Sequence, residues 1–193
     1  LIFLKRTLLL FPALLLALSL NAQSRQDSLA MAALKLTTHE VRYDPSYYAV
    51  DYPMGDIPAD RGVCTDVVIR AYRMLGVDLQ QLIHEDMKGN FNEYPNLWGL
   101  TSTDKNIDHR RVPNQMRFFE RKGTTLALTL NEEDYLPGEL VCWDLGNGTA
   151  HIGIVSSKTA ENGQRYLIVH NIGNGQVLED CLFDFKIIGH YKY

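Results

Sequence analysis

Arg61-Gly62-Val63-Cys64-Thr65-Asp66-Val67-Val68-Ile69-Arg70-Ala71-Tyr72 reads as a loop running into a helix whose first turn holds a cysteine. Val67, Val68, Ala71, Tyr72 and Leu75 recur at helical spacing, and Gly76 supplies the stop. A thiol at a helix N-terminus feels the positive end of the helix dipole, which favours thiolate. Downstream, His151 opens the strand pattern His151-Ile152-Gly153-Ile154-Val155-Ser156, and His170 lies in Tyr166-Leu167-Ile168-Val169-His170-Asn171. An imidazole beside a thiol takes its proton, and a third polar group holds that imidazole in one tautomer. Cys64, His151 and His170 are therefore the expected catalytic residues, with Asn171 as the alternative third group, and the chemistry implied is nucleophilic acyl transfer.

On either side of this core, the pattern divides the chain in two. Residues 26–40 carry Leu29, Ala30, Ala33 and Leu36 at helical spacing, Asp78 is placed to cap a short helix with Leu79, Leu82 and Ile83 inward, and Asn114–Lys122 reads as a helix ending at Gly123. After Gly123 come strand candidates Thr124–Thr129, Glu139–Asp144, His151–Ser157, Arg165–Asn171 and Lys186–Lys192. Pro137-Gly138, Gly146-Asn147-Gly148, Asn162-Gly163 and Gly173-Asn174-Gly175 separate them, and connections this short demand antiparallel pairing. The expected class is α+β, helices first and an antiparallel sheet after, with Cys64 at the seam.

Alternation along a strand tests the pairing of the histidines. In a hairpin centred between Ala160 and Glu161 they face each other. With Asn162-Gly163 as a two-residue turn, His170 falls opposite Val155, about 13 Å along the strand from His151. Both registers put the imidazoles on one face and Asn171 on the other. Contact between them requires a longer loop or a bulge near Asn162.

Lys5 and Arg6 followed by the apolar run Leu8–Leu18 and Leu20-Asn21-Ala22 have the form of a secretory signal peptide over residues 1–22, leaving one domain over 23–193. An uncleaved anchor is the other reading of the run. The chain is then expected in the periplasm or outside the cell, with no membrane span after cleavage. Removing Lys5 and Arg6 leaves 17 Lys and Arg against 23 Asp and Glu, a net charge of −6. No basic stripe is left to neutralise phosphates, so nucleic acid is not an expected partner. Three cysteines cannot all pair within one chain. Cys64 is the expected free thiol, and Cys142, set mid-strand, reads better as a small buried residue than as half of a disulfide with Cys181.

Zinc is the rival chemistry, with Cys64, His109, His151 and His170 as conceivable ligands, but no close pair such as His-x-x-x-His is present. The expectation is no metal and no cofactor. Tyr52, Asp66, His109 and Arg110 are the candidate substrate-binding residues. Loop packing is the competing reading for Tyr52 with Tyr47, Tyr48 and Trp98, and a structural or solvated role for His109. Arg110-Arg111 reads as part of a solvated lead-in to the next helix.

The order of a helix-start cysteine, a strand-opening histidine and a polar residue on the next strand resembles the papain-like, NlpC-type cell-wall peptidases. Pro137-Gly138-Glu139-Leu140-Val141-Cys142-Trp143 resembles the strand before their histidine, His151-Ile152-Gly153-Ile154-Val155 their histidine motif, and Val169-His170-Asn171 the strand bearing their third residue. That resemblance spans about half of 23–193 and implies a cysteine amidase or peptidase acting on peptidoglycan stem peptides. It departs at Val63-Cys64-Thr65-Asp66, where those enzymes have Asp-Cys-Ser-Gly, and it leaves Asn90–Arg111 without a counterpart. A second resemblance runs through Tyr43-Asp44-Pro45, Tyr52-Pro53-Met54-Gly55-Asp56, Asp60–Asp66, Asn106–Arg111 and Gly189-His190-Tyr191. These are similar to the bacterial domain of unknown function 1287, which implies a family and no activity. A non-catalytic envelope binding module and a thiol acyltransferase remain the alternative functions.

Overall fold

Leu29, Ala30, Ala33 and Leu36 are buried along a helix, α1, over residues 25–36, the first secondary structure in a computed structural model that describes residues 25–146, 148–161 and 163–193. The signal-peptide segment, Asn147 and Asn162 lie outside the described residues. Three further helices follow: α2 (Cys64–Met74), α3 (Leu79–Gly89) and α4 (Val112–Lys122). Asp78 caps α3 by accepting from the Gln80 N–H, and Pro113 sits in the first turn of α4, where its missing N–H costs no helical bond. No helix among the described residues is long and apolar enough to cross a membrane.

Two short strands, β1 (Arg42–Tyr43) and β2 (Arg61–Gly62), pair in parallel just ahead of α2. The main sheet has six strands, β3 (Thr124–Thr125), β4 (Leu140–Asp144), β5 (Ala150–Thr159), β6 (Tyr166–His170), β7 (Val177–Glu179) and β8 (Lys186–Lys192). Their order is β3-β8-β4-β5-β6-β7, and every neighbouring pair is antiparallel. Over the described residues the fold is thus α+β: four α-helices and a six-stranded antiparallel sheet.

Alternation divides the sheet's side chains between two cores. Cys142, Ile152, Ile154 and Val169 pack with the helices, in the cluster that includes Cys64, Val68 and Tyr72. Val141, Trp143, Val155 and Ile168 face the other way, onto Tyr135, Cys181 and Leu182, and the Trp143 indole N–H donates to the Leu182 carbonyl. A sheet covered on both faces explains why its central strands are apolar at nearly every position. It also fixes the histidines: His151 shares the face of Val155, and His170 that of Ile168.

Helix α2 departs from the amphipathic expectation. Cys64 through Tyr72 are all buried, including Thr65, Asp66 and Arg70. A helix enclosed on every side must satisfy its polar residues internally, and it does. Arg70 donates to Asp56, and Asp66 accepts both from the Val63 N–H at 2.7 Å and from Arg110.

Candidate active site

Cys64 stands at the start of α2 because Asp66, two residues on, ties the chain there. Its carboxylate receives the Val63 N–H and pairs with Arg110 through two bonds of 2.9 and 3.0 Å, both side chains being 3 % exposed or less. Arg110 also donates to the carbonyls of Ser46 and Asp44. Thr65 donates its hydroxyl to the Arg110 carbonyl, and Gln115 donates to the Thr65 carbonyl. Asp66 and Arg110, expected to bind substrate, hold the helix N-terminus, and Arg110 also lines the cleft that opens at Cys64.

The backbone N–H groups of Ile152, Thr65 and Cys64 itself lie near the Cys64 sulfur. These favour the thiolate, as the helix-start reading requires. Burial outweighs them, with the Asp66 charge adding to it, and pushes the thiol up to about 12. Cys64 therefore rests as a protonated thiol rather than the thiolate expected from the helix dipole. It touches β5 at the Ile152 backbone, one residue from His151, and no hydrogen bond joins it to the His151 ring.

The two imidazoles do meet. His151 Nε2 and His170 Nδ1 are 2.8 Å apart, and His170 Nε2 is 3.0 Å from a Glu179 carboxylate oxygen. Ile154 pairs with Val169 and Val155 with Ile168, which sets Gly153 across from His170, and the register then shifts before Thr159 pairs with Tyr166. The required bulge thus lies on β5, between Val155 and Thr159, where Ser156 Oγ bonds the Lys158 N–H and C=O. Neither hairpin register considered from the sequence is the observed one, although both had the right parity. Gly153 makes the diagonal contact feasible. A Cβ there would come 2.6 Å from Ile168 Cγ2 and 3.2 Å from His170 Cβ.

Hydrogen-bond direction follows from the carboxylate. Glu179 accepts, so His170 Nε2 carries the proton and Nδ1 is an acceptor. His151 must then donate from Nε2, which leaves its Nδ1 lone pair as the basic position. Burial, and next the neighbouring His170, hold the His151 imidazole down to about 3. Glu179 had no role in the sequence reading because residues 176–185 were assigned to no element; Val177-Leu178-Glu179 after Gly175 was the available signal. Asn171, the alternative third residue, points elsewhere and donates to the Gly62 carbonyl.

A cleft of about 340 Å³ opens at Cys64, lined among others by Tyr43, Pro45, Trp98, Ile107, Arg111 and Ala150. The segment Asn90–Arg111, unplaced by the peptidase resemblance, builds one of its walls. Arg111 stacks on Trp98 at 4.0 Å and has a buried Nη1 with no hydrogen-bond partner. Of the two adjacent arginines, it is this one that offers unsatisfied donors at the cleft. Tyr52 is not among the cleft residues; its ring meets His84 edge-on at 5.2 Å. His109 is buried outside the cleft and held down to about 3 by burial first and then by Arg110.

The conceivable zinc set Cys64, His109, His151 and His170 is not assembled. Among the described residues one different group draws together, His170, Glu179 and Cys181, with ligand atoms within 4.8 Å of one another. Cys64, Cys142 and Cys181 are all free. The thiol nearest an imidazole nitrogen is that of Cys181, 3.5 Å from His170 Nε2. Burial, then Glu179, Asp184 and Asp180, push it up to about 12.

A model of the family described as domain of unknown function (DUF1287) matches residues 30–193. The chain belongs to this family. An uncharacterized protein of Escherichia coli strain K12, YijF, is 53 % identical over 151 residues, covering 78 % of this chain and 73 % of its own length. No solved structure matches. Membership in DUF1287 brings no activity with it, so the chemistry of the site rests on its own geometry.

One consequence of that geometry is acid sensitivity. His151 and His109 stay neutral in the folded protein, whereas in the unfolded chain they protonate at about the ordinary histidine value of 6.5. Their contribution is complete above that value and is lost as pH falls from it toward about 3. Paired carboxylates such as Asp86, held at about 2 by Arg121 and Lys122 against its burial, add their loss only at lower pH. The melting temperature should fall by on the order of 5 °C per pH unit below about pH 6. A flat melting temperature from pH 7 to 4 by circular dichroism would contradict neutral buried histidines.

Proposed function

We propose that this protein is an exported cysteine amidase or peptidase of papain-like, NlpC-type architecture, acting on peptidoglycan stem peptides. The observation that carries the reading is the hydrogen-bond chain Glu179–His170–His151, which leaves a lone pair on His151 one residue from the backbone contact of Cys64. His151 is not among the cleft residues and faces the other side of the sheet from Cys64. This reading therefore requires the start of β5 to turn when substrate binds, bringing His151 Nδ1 into hydrogen-bond distance of the Cys64 sulfur. The thiol proton passes to His151 as sulfur bonds to the amide carbonyl carbon. His151 then protonates the leaving amine, and the thioester is hydrolysed by a water that His151 deprotonates. The Cys64 N–H at the start of α2 helps to hold the oxyanion. No metal or cofactor takes part.

Export rests on Lys5, Arg6 and the apolar run that follows, and places the protein in the periplasm or outside the cell as one domain over 23–193. Arg111 suits a substrate carrying a carboxylate, which peptide stems have. A thiol acyltransferase would share every step up to the thioester. A binding module is the second reading, favoured by the protonated, buried Cys64 and the absence of a bond to His151.

Digestion of purified peptidoglycan by the protein and by Cys64→Ala, with products read by mass spectrometry, separates these readings. Peptide fragments released by the wild type and absent with the variant are expected. Unchanged muropeptides with retained sacculus binding would replace the enzyme with the module, and a peptide joined to an added amine would indicate the transferase.

A further inference from the structure

We propose that His170, Glu179 and Cys181 form a transition-metal site, best matched to Zn²⁺, and that the bound ion reverses the hydrogen-bond chain through the two histidines. The reversal matters for activity only if the catalytic reading of His151 holds; the site itself does not depend on it.

The donor set is imidazole nitrogen, carboxylate oxygen and thiol sulfur, the combination that borderline-soft Zn²⁺ accepts. Spacing agrees with a tetrahedral ion. Zn–N near 2.0 Å and Zn–S near 2.3 Å put the two donors about 3.5 Å apart, and nitrogen and oxygen about 3.3 Å apart. His170 Nε2 lies 3.5 Å from Cys181 Sγ and 3.0 Å from Glu179 Oε2, and all the donor atoms lie within 4.8 Å of one another, so an ion would draw the thiol and carboxylate in around it. His170 and Cys181 are buried on the Trp143 side of the sheet, whereas the Glu179 side chain is 41 % exposed, which gives an ion a way in and leaves a fourth position for water. Glu179, Asp180 and Asp184 surround the thiol with negative charge. That field opposes a bare thiolate and favours a divalent cation in the same place.

His170 Nε2 cannot donate to Glu179 and ligate an ion at once. On binding, the Nε2 proton and the Cys181 thiol proton leave. His170 Nδ1 then takes the proton from His151 Nε2 along their 2.8 Å contact, and His151 takes one from solvent at Nδ1. Two protons are lost and one is gained, so one is released per ion, and no electrons are transferred. His151 ends with its basic position filled.

Co²⁺ serves as the optical probe and Zn²⁺ as the ligand for imidazole ¹⁵N spectra. Wild type should show a thiolate-to-cobalt charge-transfer band at one equivalent. Cys64→Ala should keep it, and Cys181→Ser should lose it. Glu179→Gln, altered at an exposed side chain that leaves the fold intact, should weaken Co²⁺ binding at least about 10-fold. In the ¹⁵N spectra, Zn²⁺ should move the His151 proton from Nε2 to Nδ1. No band in wild type, or a band lost with Cys64 and kept without Cys181, overturns the site. A band without the tautomer change overturns the reversal. If peptide release is detected, Zn²⁺ should suppress it in wild type and spare Cys181→Ser, and suppression of both alike overturns the switch. A protein that binds Co²⁺ through Cys181 but releases no peptide refutes the proposed function and leaves the metal site standing.

Discussion

On the proposed function, His170→Ala should lower the rate of peptide release by about 100-fold or more while the protein remains folded. The expectation follows from the direction of the hydrogen bonds. With His170 present, His151 donates from Nε2 at 2.8 Å and keeps its lone pair on Nδ1. Without it, His151 Nε2 loses its acceptor, the ring is free to rotate and exchange tautomers, and the imidazolium formed in the reaction loses the neighbour that relays it to Glu179. The loss should fall on kcat, because His170 is not among the cleft residues. Glu179→Gln should give a smaller loss of the same kind, since an amide can still accept from His170. Asn171→Ala should act differently, loosening the Gly62 carbonyl ahead of Cys64 and lowering the melting temperature. Steady-state kinetics on a soluble stem peptide, with melting curves for each variant, provides the check. Wild-type turnover in His170→Ala would remove His151 as an oriented base.

Arg110→Ala should destabilise the protein by about 3–5 kcal/mol, lowering its melting temperature by roughly 10 °C. The guanidinium and the Asp66 carboxylate are 2 % and 3 % exposed. Truncating one leaves the other charge buried with no counter-ion. The carbonyls of Ser46 and Asp44 lose their donors as well, so the segment before β2 should loosen with the start of α2. Replacing both partners by apolar residues, Asp66→Leu with Arg110→Met, should recover part of the loss, because the desolvation penalty of two charges disappears with them. A melting temperature for Arg110→Ala within 2 °C of wild type would return Arg110 to the surface role read from the sequence.

The arginines show why some features were legible in the chain and others were not. Strand alternation is local, so β4, β5, β6 and β8 stood out, as did the shared face of His151 and His170. Helix starts are local too, and Asp78 and Cys64 were placed correctly. What depends on a distant partner was hidden. Asp66 and Arg110 are 44 residues apart, and nothing near either says that they close on each other while Arg111 turns to Trp98. The bulge on β5 was required by contact distance, but its place was set by Ser156 bonding its own backbone. Strand β7 is three residues long and follows Gly173 and Gly175, too short for periodicity to register. With it went Glu179, and the grouping of Cys181 with His170.

That short strand has a consequence for how the protein fails. Strand β7 sits at the end of the sheet order and pairs with β6 alone. Edge elements with few bonds open locally at a small fraction of the free energy needed to unfold the core. When β7 detaches, the doubly covered centre of β4, β5 and β6 persists, yet Glu179 and the proton order it imposes on both histidines are gone. The tautomers of the two histidines and global stability are thereby uncoupled, and a population that melts as a single native species can still contain molecules in which the His151 lone pair sits on the other nitrogen.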